Sequence, residues 1–76
     1  MKVRNVGSNM TELVTDGCTV LFSYETPVAA LTPQGYAKTS QWYSQTTTRH
    51  INKWLDGVDA VEMPQDFFNS ITGEGA

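Results

Sequence analysis

Two side chains of this sequence have types that could carry covalent chemistry, its only cysteine, Cys18, and its only histidine, His50. A thiol becomes a nucleophile when a nearby base or positive charge lowers its pKa, and His50 is the one imidazole that could serve. Cys18, however, follows Asp16-Gly17 at the start of an apolar alternation, where a small buried side chain is the usual occupant. Nothing in the sequence gives His50 a second titratable partner. We therefore expect neither residue to be catalytic.

Four carboxylates near the C-terminal end follow one another at spacings of three or four residues: Asp56, Asp59, Glu62 and Asp66. A calcium loop would need alternating Asp or Asn residues that end in a bidentate Glu, and this pattern is absent. One cysteine and one histidine cannot supply the ligands of a structural zinc site. Glycine-rich phosphate loops and a serine elbow are also absent. The sequence predicts no metal, no cofactor and no enzyme activity.

Charge is divided unevenly along the chain. Residues 1–55 contain all five lysines and arginines and have a balance of +2, whereas residues 56–76 contain no cation and have a balance of −5. One interpretation is an ordinary solvated acidic end. The other is an acidic surface that meets a basic partner.

Interaction-type residues are densest in the segment 42–50, with Lys53 one helical turn further on. Aromatic rings beside hydroxyls, a guanidinium and a helix N-terminus can hold a phosphate or stack a base. Alternatively, the aromatic residues cover a sheet edge and the threonines cap a helix. The candidate binding surface joins this segment to the acidic end and comprises Trp42, Tyr43, Thr47, Arg49, His50, Lys53, Asp56, Asp59, Glu62 and Asp66.

The elements that position these residues begin with a β meander of four or five short strands over residues 1–40. Asp16-Gly17 is a strong hairpin signal, and Pro27 is expected to break or bend a strand because it lacks a ladder donor. Cys18–Glu25 alternates with period two, which indicates a half-buried antiparallel strand. Its face with Phe22 and Tyr24 is predicted to be the core face.

A helix is predicted over residues 46–56, because three apolar residues share one face: Ile51, Trp54 and Leu55. A threonine of the run 46–48 is expected to cap its start, and Gly57 its end. Lys53 in the last turn suits the helix dipole.

A second short helix is predicted over residues 64–71, opened by Pro64, and residues 72–76 are expected to fray. Residues 58–63 are a connector or a short edge strand. The predicted fold is α+β, a small antiparallel sheet with one helix packed on it, in a single domain over residues 1–76.

The cellular setting follows from what the sequence lacks. No apolar run reaches the ~20 residues that span a bilayer, and no export signal follows the first residues. A single reduced cysteine agrees with cytoplasm. A chain of this length has a thin core, which leaves self-association open as a further source of stability.

Three blocks of the sequence, 1–7, 23–29 and 43–55, resemble a family of small uncharacterised proteins encoded by bacteriophages and other mobile elements. The third block, Y-S-x-T-T-x-R-H-x-x-K-W-L, is the most specific, and the similarity spans residues 1–68. This chain departs from the family at Ala29-Ala30-Leu31, where relatives are more polar. The resemblance implies an origin and a size class, and no catalytic residue.

Three functional hypotheses follow. The first is a phage-encoded, non-catalytic protein in the cytoplasm of the bacterial host that inhibits a host machine, such as a defence system targeted by anti-CRISPR proteins, by stoichiometric protein binding. The second is a nucleic-acid-binding accessory protein. The third is an assembly component that is stable as a homo-oligomer.

Overall fold

The computed structural model describes residues 2–15 and 17–72 and shows an α+β fold with one six-stranded sheet and two helices. The strands lie side by side in chain order: β1 (Lys2–Gly7), β2 (Met10–Thr15), β3 (Cys18–Ser23), β4 (Thr26–Thr32), β5 (Gly35–Thr39) and β6 (Val61–Met63). The helices are α1 (Gln45–Leu55), between β5 and β6, and α2 (Gln65–Thr72), after β6. Neither helix has the length and apolar character needed to cross a lipid bilayer.

The sheet is mixed. Strands β1 to β5 form an antiparallel meander, as predicted. β6 is a sixth strand at the edge, and it runs parallel to β5, with Lys38 opposite Glu62. The prediction of an antiparallel sheet of four or five strands is therefore approximately right. Residues 61–63, for which a connector or a short edge strand was predicted, add a sixth strand, and its parallel pairing was not predicted. The reason is the α1 connection, since a helical crossover returns the chain to the same end of the sheet and makes the next strand parallel.

Both faces of the central strands are buried. Val20 and Leu21 are neighbours in β3 and each is 0% exposed, and the same holds for Ala29 and Ala30 in β4. Because successive side chains of a strand point to opposite faces, the sheet must be covered on both.

Each face is covered by one helix. Ile51 and Leu55 of α1 pack in the cluster that contains Leu21, whereas Phe68 of α2 packs with Val20. The prediction of one packed helix and one core face is thus wrong.

Tyr24, predicted for the core face of β3, lies outside the strand. β3 ends at Ser23, and Tyr24 occupies the following turn with φ of 58° and 52% exposure. Its backbone N–H donates to the Asn9 carbonyl at 2.8 Å. The left-handed turn conformation takes the tyrosine ring out of the alternation that the sequence showed.

Pro27 lies inside β4 and is fully buried, so of the two predicted effects, a break or a bend, it does not break this strand. The pairing of β3 with β4 shifts here, because Leu21 faces Ala29 while Phe22 faces Pro27, which leaves Val28 as an extra residue. Such a β-bulge is where a sheet tolerates proline. The Pro27 carbonyl accepts a hydrogen bond from Gln65 Nε2 of α2 at 2.7 Å.

The ends of α1 differ from the predicted caps. Ser44, in extended conformation, is the N-cap, and its Oγ accepts the Thr47 N–H at 3.1 Å. The threonines 46–48 are inside the helix. At the other end Asp56 is the left-handed residue, with φ of 48°, and its N–H donates to the Asn52 carbonyl at 2.9 Å. Gly57 follows, also with positive φ.

α2 begins at Gln65, directly after Pro64, and continues to Thr72. Thr72 was predicted to fray, but its hydroxyl donates to the Phe68 carbonyl at 3.3 Å. The rest of the predicted tail, residues 73–76, lies outside the described residues, as does Asp16 of the predicted hairpin turn between β2 and β3.

Ser44→Ala tests the N-cap. We expect it to lower the free energy of unfolding by about 1 kcal/mol, because the Thr47 N–H loses its acceptor. Thr46→Ala is the matched control, because Thr46 is exposed and lies two residues after Ser44. It is expected to change the free energy of unfolding by less than about 0.5 kcal/mol. Urea denaturation of both variants measures this. An equal loss in both would contradict the assignment of Ser44.

Phe68→Ala tests the packing of α2 on the sheet. Phe68 is 0% exposed, whereas its neighbour Phe67 is half-buried. Removing the buried ring is expected to cost about 3–5 kcal/mol, enough to unfold much of a marginally stable domain. Phe67→Ala is expected to cost clearly less. Thermal unfolding followed by circular dichroism compares them, and similar melting temperatures would be the contrary result.

Candidate functional site

A shallow cleft of about 150 Å³ lies between α1 and the β5–β6 edge of the sheet. We call it the Trp42 cleft. The side chains that define it come from β5, the 40–44 connection, α1 and β6: Lys38, Trp42, Tyr43, Thr48, Asn52 and Glu62.

The connection from β5 to α1 is held against the sheet by its backbone. Ser40 N–H donates to the Met63 carbonyl of β6 at 2.9 Å, and Gln41 N–H donates to Thr39 Oγ1 at 3.1 Å. The chain then turns outward, which leaves Trp42 70% exposed and Tyr43 38% exposed. Partial burial raises the pKa of Tyr43 above its ordinary value, which already lies well above 7, and its phenol is a neutral hydrogen-bond donor near pH 7.

Lys38 and Glu62 place opposite charges beside each other in the cleft. They are direct partners in the parallel pairing of β5 with β6, so their side chains leave the same face of the sheet. In the described part of the chain the only ion pair within 4 Å joins Arg4 to Glu12. Lys38 and Glu62 are therefore both available to a ligand in the cleft.

Four of the ten residues of the predicted binding surface line this cleft: Trp42, Tyr43, Thr47 and Glu62. Thr47 is 6% exposed, and its hydroxyl is used within the protein. The other six residues lie elsewhere. Five of them are exposed outside the cleft (Arg49, Lys53, Asp56, Asp59 and Asp66), and His50 is half-buried.

Seven of the eleven residues that line the cleft were not in the predicted surface, and three of them bear on its chemistry. Thr48 and Asn52 are four residues apart on α1, and this spacing is a signal that could have placed them on one helix face. Lys38 had no local signal, because the parallel strand pairing alone brings it beside Glu62.

His50 belongs to a chain of hydroxyl groups at the start of α1. Its Nδ1 lies 2.8 Å from Ser23 Oγ, Ser23 Oγ lies 3.1 Å from Thr47 Oγ1, and Ser44 Oγ donates to Thr47 Oγ1 at 3.2 Å. A serine beside an imidazole can be a nucleophile with its base. Ser23, however, is 2% exposed, so its hydroxyl cannot reach a substrate. This network holds α1 to β3.

Cys18 and His50 are not neighbours. Cys18 starts β3 and Ser23, the hydrogen-bond partner of His50, ends it. The five residue-to-residue steps between these ends of the strand correspond to roughly 16 Å. Among the described residues there is also no group of three His, Cys, Asp or Glu side chains that could hold a metal ion.

Glu12 connects the other end of α1 to the sheet. Its carboxylate accepts hydrogen bonds from Arg4 of β1 and from Trp54 Nε1 of α1, the latter at 2.6 Å. Burial raises the pKa of Glu12, but the hydrogen bonds and the positive charge of Arg4 outweigh it, so the pKa lies below its ordinary value. The carboxylate is thus a structural anion.

A second hollow, of about 280 Å³, lies on the α2 side of the sheet over β1, β2 and β3. Its lining is mainly apolar: Val3, Thr11, Leu13, Phe22 and Tyr24. No charged group converges on it. Binding sites combine apolar surface with a few convergent polar groups, and the Trp42 cleft fits this description better.

The fold and the cleft define a small α+β protein with an exposed aromatic site and a buried, inaccessible serine–histidine contact. A family model described as "Family of unknown function (DUF8033)" matches residues 1–70, and the chain belongs to this family. No curated protein matches the chain. No solved structure matches it either. The expectation of an uncharacterised family is thereby confirmed, while the phage origin remains a prediction.

Glu12→Gln tests the ionic bridge through pH. Because the folded-state pKa is lowered, the carboxylate stabilises the protein above its unfolded-state pKa of about 4.3, and this contribution is lost as the pH falls through the folded value. We expect the variant to be about 1–3 kcal/mol less stable at pH 7, with the difference from the wild type shrinking below about pH 4. Urea titrations from about pH 3 to 7 measure it.

Glu25→Gln, at an exposed turn, is the control for the loss of a carboxylate. It is expected to change stability by less than about 0.5 kcal/mol at pH 7. A Glu12→Gln deficit that stays constant across the pH range would contradict the bridge.

Proposed function

We propose that this protein acts without catalysis, by stoichiometric binding to a protein partner, and that the Trp42 cleft is the centre of the contact. The observation that carries this is the 70% exposure of Trp42 beside Tyr43. Tryptophan and tyrosine are the residues most enriched where binding energy concentrates in protein interfaces. Trp42 also takes part in none of the aromatic ring pairs of the described residues.

The absence of catalysis in this proposal is supported by how the reactive groups are placed. The Ser23 hydroxyl is buried beneath α1, and the imidazole beside it has hydroxyl neighbours that form a structural network. Cys18 lies at the far end of the same strand. These positions favour a protein whose polar groups stabilise the fold.

The proposal extends to origin and partner. The resemblance of the 43–55 block to phage and mobile-element proteins supports a phage-encoded protein that works in the cytoplasm of the bacterial host. Exposed carboxylates follow α1 and surround β6, at Asp56, Asp59, Glu62 and Asp66, and residues 54–72 contain no cation. Such a surface suits a basic channel of a host machine. We propose inhibition of a bacterial defence system, with anti-CRISPR activity as one form.

A nucleic-acid-binding accessory protein is the second candidate. Arg49 and Lys53 are exposed and one turn apart on α1, so they could contact neighbouring phosphates. Two such contacts give a shallow dependence of affinity on salt, with a slope of about −2 in a log–log plot. This candidate ranks below the first because two further cations have an acidic neighbour that competes with a phosphate. Arg4 is paired with Glu12, and Lys38 lies beside Glu62.

Trp42→Ala tests the proposed function in affinity purification from bacterial lysate. We expect the wild-type protein to retain a protein partner at about equal molar amounts, and the variant to lose at least about tenfold in affinity, because a central tryptophan contributes 2 kcal/mol or more in such contacts (~30-fold). Isothermal titration with the recovered partner measures the affinity.

Val58→Ala is the matched control, since Val58 is 44% exposed and lies outside the cleft. It is expected to bind like the wild type. Full binding by Trp42→Ala would contradict the proposal. Loss of all bound material after nuclease treatment would favour the nucleic-acid candidate instead.

A further inference from the structure

We propose that the Trp42 cleft receives the guanidinium group of an arginine side chain. This inference rests on the proposed function, in that the arginine belongs to the bound protein partner. It names the chemistry of the contact, which the proposed function leaves open.

The size of the cleft fits one side chain. Its volume of about 150 Å³ is below the roughly 300–1,000 Å³ of pockets for small-molecule ligands. The two exposed aromatic residues, Trp42 and Tyr43, supply the surface on which a flat cation stacks, and tryptophan is the strongest such partner. Arginine is the side chain that combines a plane with a permanent charge.

Hydrogen-bond acceptors around the rings match the five N–H donors of a guanidinium. Glu62 offers an exposed carboxylate that no cation of the described residues approaches within 4 Å. Thr48 and Asn52 add a hydroxyl oxygen and an amide oxygen from the facing side of α1. Where a carboxylate lies beside an aromatic ring, the carboxylate can accept hydrogen bonds from the edge of a guanidinium while the ring contacts its face.

An anion is the opposite possibility, because a helix N-terminus lies near the cleft and Lys38 lines it. One amide of this helix start is already used, however, because Thr47 N–H donates to Ser44 Oγ at 3.1 Å. Residues 54–72 contain four carboxylates and no cation, and this balance favours a bound cation over a bound anion near Glu62.

Lys38 is the one feature that opposes a bound arginine, and it gives the proposal a test of definite sign. Its ammonium group competes for Glu62, its partner across the strand pair, and repels the guanidinium. Removing that charge must therefore strengthen arginine binding. Removing the Glu62 charge must weaken it.

The experiment uses a blocked Gly-Arg-Gly peptide and its citrulline analogue, which has nearly the same shape without the charge. Binding is followed by the indole N–H signals of ¹⁵N-labelled protein. Trp54 is an internal reference, because its Nε1 donates to Glu12 at 2.6 Å and lies outside the cleft. We expect the arginine peptide to move the Trp42 signal and not the Trp54 signal, and the citrulline peptide to move neither.

The two charge variants complete the test. Lys38→Met is expected to tighten binding of the arginine peptide about two- to fivefold, and Glu62→Gln to weaken it about two- to fivefold. Equal shifts with citrulline, weaker binding by Lys38→Met, or no Trp42 shift at about 10 mM peptide would each overturn the proposal. Such a failure, together with Trp42-dependent capture of a partner, would leave the proposed function standing.

Discussion

The structure depends on burying both faces of β3 and β4 in a chain of 76 residues. A domain of this size has little apolar surface to hide, and here it is divided between two layers. Small residues make this possible, since Ala29, Ala30 and Ala37 let the two helices approach a sheet whose central strands have apolar side chains at successive positions. α1 covers one face on the way from β5 to β6, and α2 covers the other face after β6. The α1 crossover forms the Trp42 cleft.

Polar groups fix α1 at both of its ends. Near its start, Ser23 of the sheet bonds to Thr47 and His50, and near its end Glu12 accepts the Trp54 N–H. Hydrogen bonds are directional, whereas apolar contacts between Ile51, Leu55 and the sheet tolerate rotation about the helix axis. These two attachments therefore determine which face of α1 is turned toward the cleft. The geometry of the Trp42 cleft and the stability of the fold are linked through them.

Local patterns in the sequence were sufficient for part of this fold. Strands β1 to β5 form the antiparallel meander that was predicted for residues 1–40, and the apolar stripe of α1 packs on the sheet. Features set by tertiary pairing were missed. The bulge at Pro27 depends on how β3 and β4 align, and the cap at Ser44 depends on where the chain leaves the sheet.

The candidate site divides in the same way. Trp42 and Tyr43 were predicted from residue type and line the cleft. Lys38 was not predicted, because it lies 24 residues before Glu62 in the sequence and only the parallel pairing of β5 with β6 brings the two together. His50 was assigned to the surface from its place in a polar segment, but contact with the buried Ser23 draws it inward.

The crossover has a kinetic consequence for the cleft. Glu62 is held there by a strand of only three residues, at the edge of a sheet whose other five strands form an antiparallel meander in chain order. Long-range parallel pairing forms later than local hairpins and opens at lower free energy. The meander can thus persist while the edge detaches, and the Trp42 cleft then ceases to exist although most of the molecule stays folded. A bound partner would close this local opening and slow amide exchange at residues 61–63.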